Sequence, residues 1–206
     1  KNLYLVDIVC HGVPAPYLWR DYLSYLEKKQ GAKICWVNFR DKQEFGWRAH
    51  KETFKFIKRA RKMSFTFLFY QHIMFRNSCG KCHFTNIQRP SDITIADFWG
   101  IEKVDPNINS DDKGVSLILI NTEKGQKLFE AIQHDLNTIP ATLDKCLQPN
   151  LKHPTIIHPQ RMDFERDYKK YGFSYVMKKY GNNDRRHKLK STIKKIKNKI
   201  KRIIHI

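Results

Sequence analysis

Two cysteines three positions apart, Cys79 and Cys82 in the run RNSCGKCH that starts at Arg76, carry the clearest chemistry in the sequence. Thiolates at this spacing reach one metal from a single tight turn, which is why the spacing recurs at zinc and iron–sulfur sites. They make half a site, because a tetrahedral ion or a cluster takes about four ligands. A third thiol, Cys10, stands where a strand-like run gives way to His11-Gly12-Val13-Pro14, the place where α/β folds seat ligands. On residues alone three outcomes stay open. Zinc can be held by Cys10, Cys79 and Cys82 with His11 or His83, an iron–sulfur cluster needs thiolates almost throughout, and the thiols can be free. The stretch 79–83 also has the C-x-x-C-H form of a haem attachment site, but its β-rich flanks and the lack of an export signal argue against haem. Cys35, within an apolar strand, and Cys146, in a helical turn, read as buried hydrophobes. Outside a zinc site, His11 and His83 read as hydrogen-bonded or surface groups, and Asp92 and Asp97 as turn and edge polar residues.

The elements that must position these thiols are a mixture of strands and helices. Residues 3–9, apolar apart from Asp7, predict a buried strand. Tyr17, Leu18, Tyr22, Tyr25 and Leu26 recur at helical spacing over 16–29, with Pro16 in the first turn and Gly31 as the stop. A second strand is expected over 34–39. A hairpin follows over 52–58 and 63–68, with Phe54, Phe56, Phe65 and Phe67 alternating, and a short helix over 69–76 delivers the chain to Cys79. After the cysteines, the run DITIADFWG over 92–100 and residues 115–120 are β-forming, and 105–114 is a loop rich in Asp and Asn. Thr122 caps a helix running to about 136, with Leu128, Phe129 and Ile132 facing inward. A helical turn over 143–147, a Pro-rich connection and short helices over 162–171 and 174–180 follow. The expected class is α/β or α+β, a mixed β-sheet flanked by helices. A first domain over 1–160 is followed by a helical, basic tail over 161–206.

Composition narrows the setting. With 206 residues, 41% hydrophobic and 13% aromatic, the chain can bury a core. No run approaches the roughly 18–20 apolar residues of a membrane span, and there is no signal peptide. An odd set of five cysteines then fits a reducing, cytoplasmic setting rather than a disulfide framework. The sequence enters at once on a strand pattern with no methionine, as expected of a piece of a longer protein. Half of the net charge of +19 lies between Arg185 and Arg202, where there are ten Lys/Arg and no acid. There Leu189, Ile193, Ile196, Ile200 and Ile203 step by four and three, the pattern of a basic amphipathic helix. Such a helix suits packing on its own domain, a partner subunit or an anionic membrane surface. Nucleic acid is disfavoured, because the tail has no aromatics for stacking.

Four spaced segments carry a family resemblance. They are DIVCHGVP from Asp7, FRDK from Phe39 with Gly46-Trp47 after it, CGKCHF with RPSDITIADFWGI, and DDKGVSLILINTEKG from Asp111. In this order they resemble the C-terminal domain of the coenzyme F-420 hydrogenase/dehydrogenase beta-subunit family over about 3–136, with the chain beyond about 161 outside. The resemblance implies a flavin- and iron–sulfur-dependent oxidoreductase component that passes electrons between a 4Fe–4S cluster and a hydride carrier or substrate. Cys10, Cys79 and Cys82 match the family's cluster ligands, and the fourth ligand is expected upstream of this sequence. FAD is the second implied cofactor. Its pyrophosphate favours backbone N–H groups and positive charge, which makes Arg40, Lys113 and Gly114 candidates, with His11 and Gly12 toward the ring. A redox partner protein or ferredoxin-like domain is the expected partner. The alternative is a zinc-stabilised, non-catalytic binding module docked to a partner or membrane by its basic tail.

Overall fold

A computed structural model describes residues 3–49, 51–57, 59–63 and 65–181. The amphipathic helix expected over 189–203 lies outside the described residues. The chain runs through β1 (Val6–Ile8), α1 (Pro16–Gln30), β2 (Ile34–Asn38), α2 (Lys42–Phe45), β3 (Glu52–Phe56), β4 (Arg59–Met63) and α3 (Thr66–Tyr70). After the cysteine turn come β5 (Ile93–Asp97), β6 (Ser116–Ile120), α4 (Glu123–Ile132), α5 (Leu143–Cys146), α6 (Arg161–Tyr171) and α7 (Phe173–Tyr180).

The strands form two three-stranded sheets. One is the antiparallel meander β2–β3–β4. In the other, β5 is central, with β1 parallel on one side and β6 antiparallel on the other. Parallel neighbours need a crossover connection, and here that crossover contains α1, the whole meander and α3. The architecture is the mixed α/β class expected from the sequence.

Helix α1 forms because Leu18, Tyr22 and Leu26 fall on one stripe and are all buried, and Gly31 ends it in the left-handed conformation at φ 62°. Phe54 and Phe56 of β3, Leu68 of α3, and Phe164, Phe173, Val176 and Tyr180 of α6 and α7 share its core. A second core joins Phe98, Ile101, Leu117, Cys146 and Leu151 with Val9, Ala96 and Leu119 on one face of the β1–β5–β6 sheet. Among the described residues no helix is long and apolar enough to cross a membrane.

Several local expectations are corrected. The second hairpin strand is 59–63 rather than 63–68, because β3 and β4 pair Phe56 with Arg59 across a two-residue connection. Residues 66–70 are helical instead, and the short helix expected over 69–76 starts earlier. Buried Phe65 and Leu68 stand three apart, a helical interval, while Phe67 points outward. The strand expected to be buried over 3–9 is shorter and lies at the sheet edge, with Leu3, Leu5, Val6 and Ile8 exposed. Cys35 is exposed rather than buried. A register shift between Ile34 and Trp36 turns it outward, and its thiol donates to the Lys55 carbonyl at 3.4 Å. Thr122 does cap α4, accepting from the Gly125 amide at 3.1 Å, but Ile132 at the far end is exposed.

The first core also contains a carboxyl group. Glu52 Oε1 accepts from the Thr66 amide at 2.8 Å and from its hydroxyl, while Oε2 is buried with no partner among the described residues. Burial pushes the Glu52 carboxyl above the usual carboxylate range, only partly offset by Thr66. Its contribution is therefore fully present below the unfolded-state value and is lost as pH rises through the folded one. Glu52→Gln should remove that loss. The variant is expected to melt about 2–4 °C above the parent at pH 7, with the advantage vanishing near pH 4, as thermal unfolding across pH will show.

Candidate functional site

Cys10 stands two residues after β1, and between them the Val9 amide still bonds the Ile95 carbonyl at 3.0 Å. The next residues turn back onto the segment before Cys79. Pro14 bridges to Phe75, and the Arg76 amide donates to the Val13 carbonyl at 3.0 Å. The Val13 amide donates to Cys79 Sγ at 3.3 Å. Cys79 sits in a single 3-10 turn, Asn77–Lys81, and Cys82 stands at its end, where Thr85 Oγ1 donates to the Cys82 carbonyl at 2.8 Å. Two glycines permit this arrangement. A Cβ on Gly12, at φ 146°, would lie 2.2 Å from the Phe75 ring, and one on Gly80 would lie 2.6 Å from Ile157 Cγ1.

All five thiols are free. Cys10 is exposed and Cys79 and Cys82 are half-buried, so the three predicted ligands are accessible on two loops laid together. Cys146 is buried in the second core, and that burial, with Asp144 nearby, pushes its thiol up. Among the described residues no three His, Cys, Asp or Glu groups converge tightly enough to hold a single metal ion. A cluster is a larger body than an ion, and its ligands stand farther apart. His83 is exposed, and its carbonyl accepts from Asn86 Nδ2 at 2.7 Å.

His11 turns into an aromatic nest instead. Its ring lies 5.5 Å from Phe69, 5.2 Å from Tyr70 and 5.8 Å from Phe75, centroid to centroid. Its Nε2 lies 3.0 Å from Nε2 of His72. His72 Nδ1 lies 2.9 Å from the Ile156 carbonyl oxygen, so Nδ1 bears the hydrogen, and in the neutral pair His72 Nε2 accepts from His11. His72 adopts φ 58°, a left-handed backbone that a non-glycine residue seldom holds. Thr155 Oγ1 donates to the His11 carbonyl at 2.5 Å. The stretch 155–157 thus roofs both the His11 turn and Gly80. No spacing in the sequence points to His72.

The other predicted cofactor residues assemble around two indoles. Trp47 and Trp99 stack at 3.9 Å, 10° from parallel, and the Arg40 guanidinium lies over both, 5.9 and 5.5 Å from their ring centroids. Asp97 holds the arrangement, accepting from Arg40 Nη1 at 2.5 Å and from Trp47 Nε1 at 3.1 Å. Gly114, at φ 91°, lies against the Trp47 ring, where a Cβ would approach to 2.5 Å. Lys113 stands apart, exposed and paired with Asp111 at 3.0 Å. Arg40 and Gly114 are therefore brought together, and Lys113 contributes only its carbonyl, which accepts from Lys42 Nζ at 3.0 Å. Tyr70 joins the two halves. Burial pushes its phenol up, Arg40 pulls it back, and Asp97 and Glu52 push it further, so it feels the indole cluster while its ring touches His11. No sequence signal links Asp97, Trp99 and Tyr70.

No curated protein matches the chain. A family model matches residues 1–142, and its description is the C terminus of the coenzyme F-420 hydrogenase/dehydrogenase beta subunit. That span contains Cys10, Cys79 and Cys82, His11, His72 and the indole cluster, and stops before α5. The chain belongs to the coenzyme F-420 hydrogenase/dehydrogenase beta-subunit family, through its C-terminal domain.

Proposed function

We propose that this domain is a flavin- and iron–sulfur-dependent oxidoreductase component, with Cys10, Cys79 and Cys82 as three of four ligands to a 4Fe–4S cluster. The family is one of oxidoreductase subunits from multi-protein hydrogenases and dehydrogenases. The observation that carries the finer reading is the Val13 amide on Cys79 Sγ, which fastens the Cys10 turn to the C-x-x-C turn. The donor set fits a cluster, being all thiol, accessible and on two short loops. The fourth thiolate comes from outside this sequence, because Cys35 is turned toward Lys55 and Cys146 is buried in the second core.

When bound, a flavin exchanges a hydride for electrons that a cluster can carry singly. The chain's own residues position and insulate. The Val13 N–H aimed at sulfur is a lever on potential, since hydrogen bonds to ligand sulfurs tune it. Thr155 and Ile157 hold the His11 turn and Gly80 from the other side. On the flavin side, the assignment is to His11, Gly12, Arg40, Lys113 and Gly114. Arg40 is already balanced by Asp97, so it orients a ligand by its planar donors more than by net charge. The stacked indoles offer that ligand a flat apolar wall.

Anaerobic purification of the full-length protein tests the reading. The expected product is brown, with iron, sulfide and flavin absorbance, and Cys79→Ala should lose the iron. A colourless protein with one zinc per chain would overturn it in favour of a zinc-stabilised binding module.

A further inference from the structure

The loops that carry the thiols bear three exposed cations, Arg76, Lys81 and Lys152, whereas Arg89 and Arg161 in the same stretches are paired with Asp7 and Glu165. From residue 76 to 91 there is no acid, and from 145 to 162 there is none either. Arg76, Lys81 and Lys152 are exposed, and among the described residues no carboxylate pairs with them. Elsewhere many bases are matched, as in Lys33–Glu27, Arg48–Glu102, Lys124–Asp92 and Lys179–Asp167. Set among the unmatched cations are three exposed apolar side chains, Phe84 at 59%, Ile87 at 50% and Ile156 at 74%. The two stretches form one surface, because Ile157 closes over Gly80 and the Ile156 carbonyl meets His72. Apolar anchors inside an unpaired charged rim are the makeup of a protein docking surface.

We infer that this collar is the docking site for an acidic electron-carrier protein. The inference rests on the redox reading above, and it names the partner and the face it uses. Charge complementarity selects an acidic protein, and the placement over Cys79 and Cys82 selects one that delivers electrons, since transfer requires close approach. With a cluster held by Cys10, Cys79 and Cys82, each encounter would pass one electron, the carrier losing the electron that the cluster gains, and no bond would be made or broken. The chain's own tail is excluded by sign, being itself basic. A nucleic acid would find Phe84 alone to stack on in this patch, and a bilayer would bury the route to the thiols.

Binding, measured separately from electron transfer, tests this. The probe is an acidic plant-type ferredoxin titrated calorimetrically into the full-length protein as purified, beside phosphatidylserine vesicles and a single-stranded oligonucleotide. Ferredoxin should bind, with affinity falling at least about tenfold between about 50 and about 300 mM salt. The triple variant Arg76→Glu/Lys81→Glu/Lys152→Glu should lose a further tenfold or more with iron content unchanged. Lys152→Glu/Ile156→Ser, which leaves the cysteine turn untouched, should weaken binding in the same direction. Ferredoxin binding absent, or indifferent to salt and to both variants, overturns the inference. So does binding of vesicles or oligonucleotide that the triple variant abolishes while ferredoxin is unaffected. A colourless zinc protein that still binds ferredoxin through the collar would sink the redox reading and keep the docking face.

Discussion

Gly12→Ala should be among the most damaging single substitutions in the molecule, costing about 3–5 kcal/mol of stability. Two effects add. Gly12 holds φ 146°, which an L side chain adopts only under strain, and the new Cβ would fall 2.2 Å from Phe75 Cε2. Phe75 cannot move aside, because it is fully buried and its ring packs on Phe69 and His72. The turn would have to lift, and with it the Val13 amide that reaches Cys79. The expected readout is a melting temperature lower by about 10 °C, with faster alkylation of Cys10 and Cys79 in the metal-free protein. Phe75→Leu should relieve the clash but not the backbone strain, so the double variant should be less unstable than the two single losses added together. A Gly12→Ala protein that melts within a degree or two of the parent would show that the close approach does not hold the turn.

The thiol set was legible because its signal is local. Cys79 and Cys82 share one turn, and Cys10 ends a run whose apolar character marks a strand whatever covers it. The covering itself was not legible. Six apolar residues in seven gave β1, yet β1 lies at the edge of its sheet and Val6 and Ile8 are exposed there, while their central-strand neighbour Ile93 is buried. The aromatic run 65–70 supports both a period of two through Phe65 and Phe67 and a helical interval through Phe65 and Leu68. Tertiary burial of Leu68 decided for the helix. Cys35 failed for a different reason, since one extra residue in a strand reverses the side of everything near it and leaves no mark in composition.

The cofactor side was half legible. Arg40 and Gly114 stand out as a basic turn and a glycine, but their meeting depends on Trp47, which lies against Gly114 and donates to Asp97 fifty residues away in sequence. Asp97 has the sequence setting of an edge polar group, but it stands at the end of the central strand β5. The crossover that lays the meander beside β5 turns it into the counter-charge for Arg40. His72 is the clearest case of a residue hidden from one-dimensional reading. Its role comes from a left-handed turn after α3 and from Ile156, eighty-four residues later.

Arg89→Met should cost about 3–5 kcal/mol, the range for removing one partner of a buried ion pair. The Arg89 side chain is only 2% exposed. Its Nε and Nη2 donate to Asp7 Oδ2 at 3.1 and 2.8 Å, Nη2 also to the Ile8 carbonyl at 3.1 Å, and Nη1 to the Phe84 carbonyl. Methionine keeps much of the volume, leaves two carbonyls without their donor, and strands a carboxylate whose Oδ1 is already buried and unpartnered. Asp7→Asn alone should cost less, since an acceptor remains for the guanidinium. The double variant Asp7→Asn/Arg89→Met should recover part of the loss, because the uncompensated charge is gone while the two carbonyls stay unmet. Denaturant titration of the four proteins measures this, and a double variant no more stable than Arg89→Met would show that the charge is not what Arg89 holds. The position of Arg89 gives a second prediction of the same origin. It ties the strand that ends at Cys10 to the loop that follows Cys82, whereas Gly12 ties the Cys10 turn to Cys79. Losing Arg89 should therefore speed alkylation of Cys10 and Cys82 together and leave Cys79 comparatively protected, whereas at Gly12 it is Cys79 that opens together with Cys10.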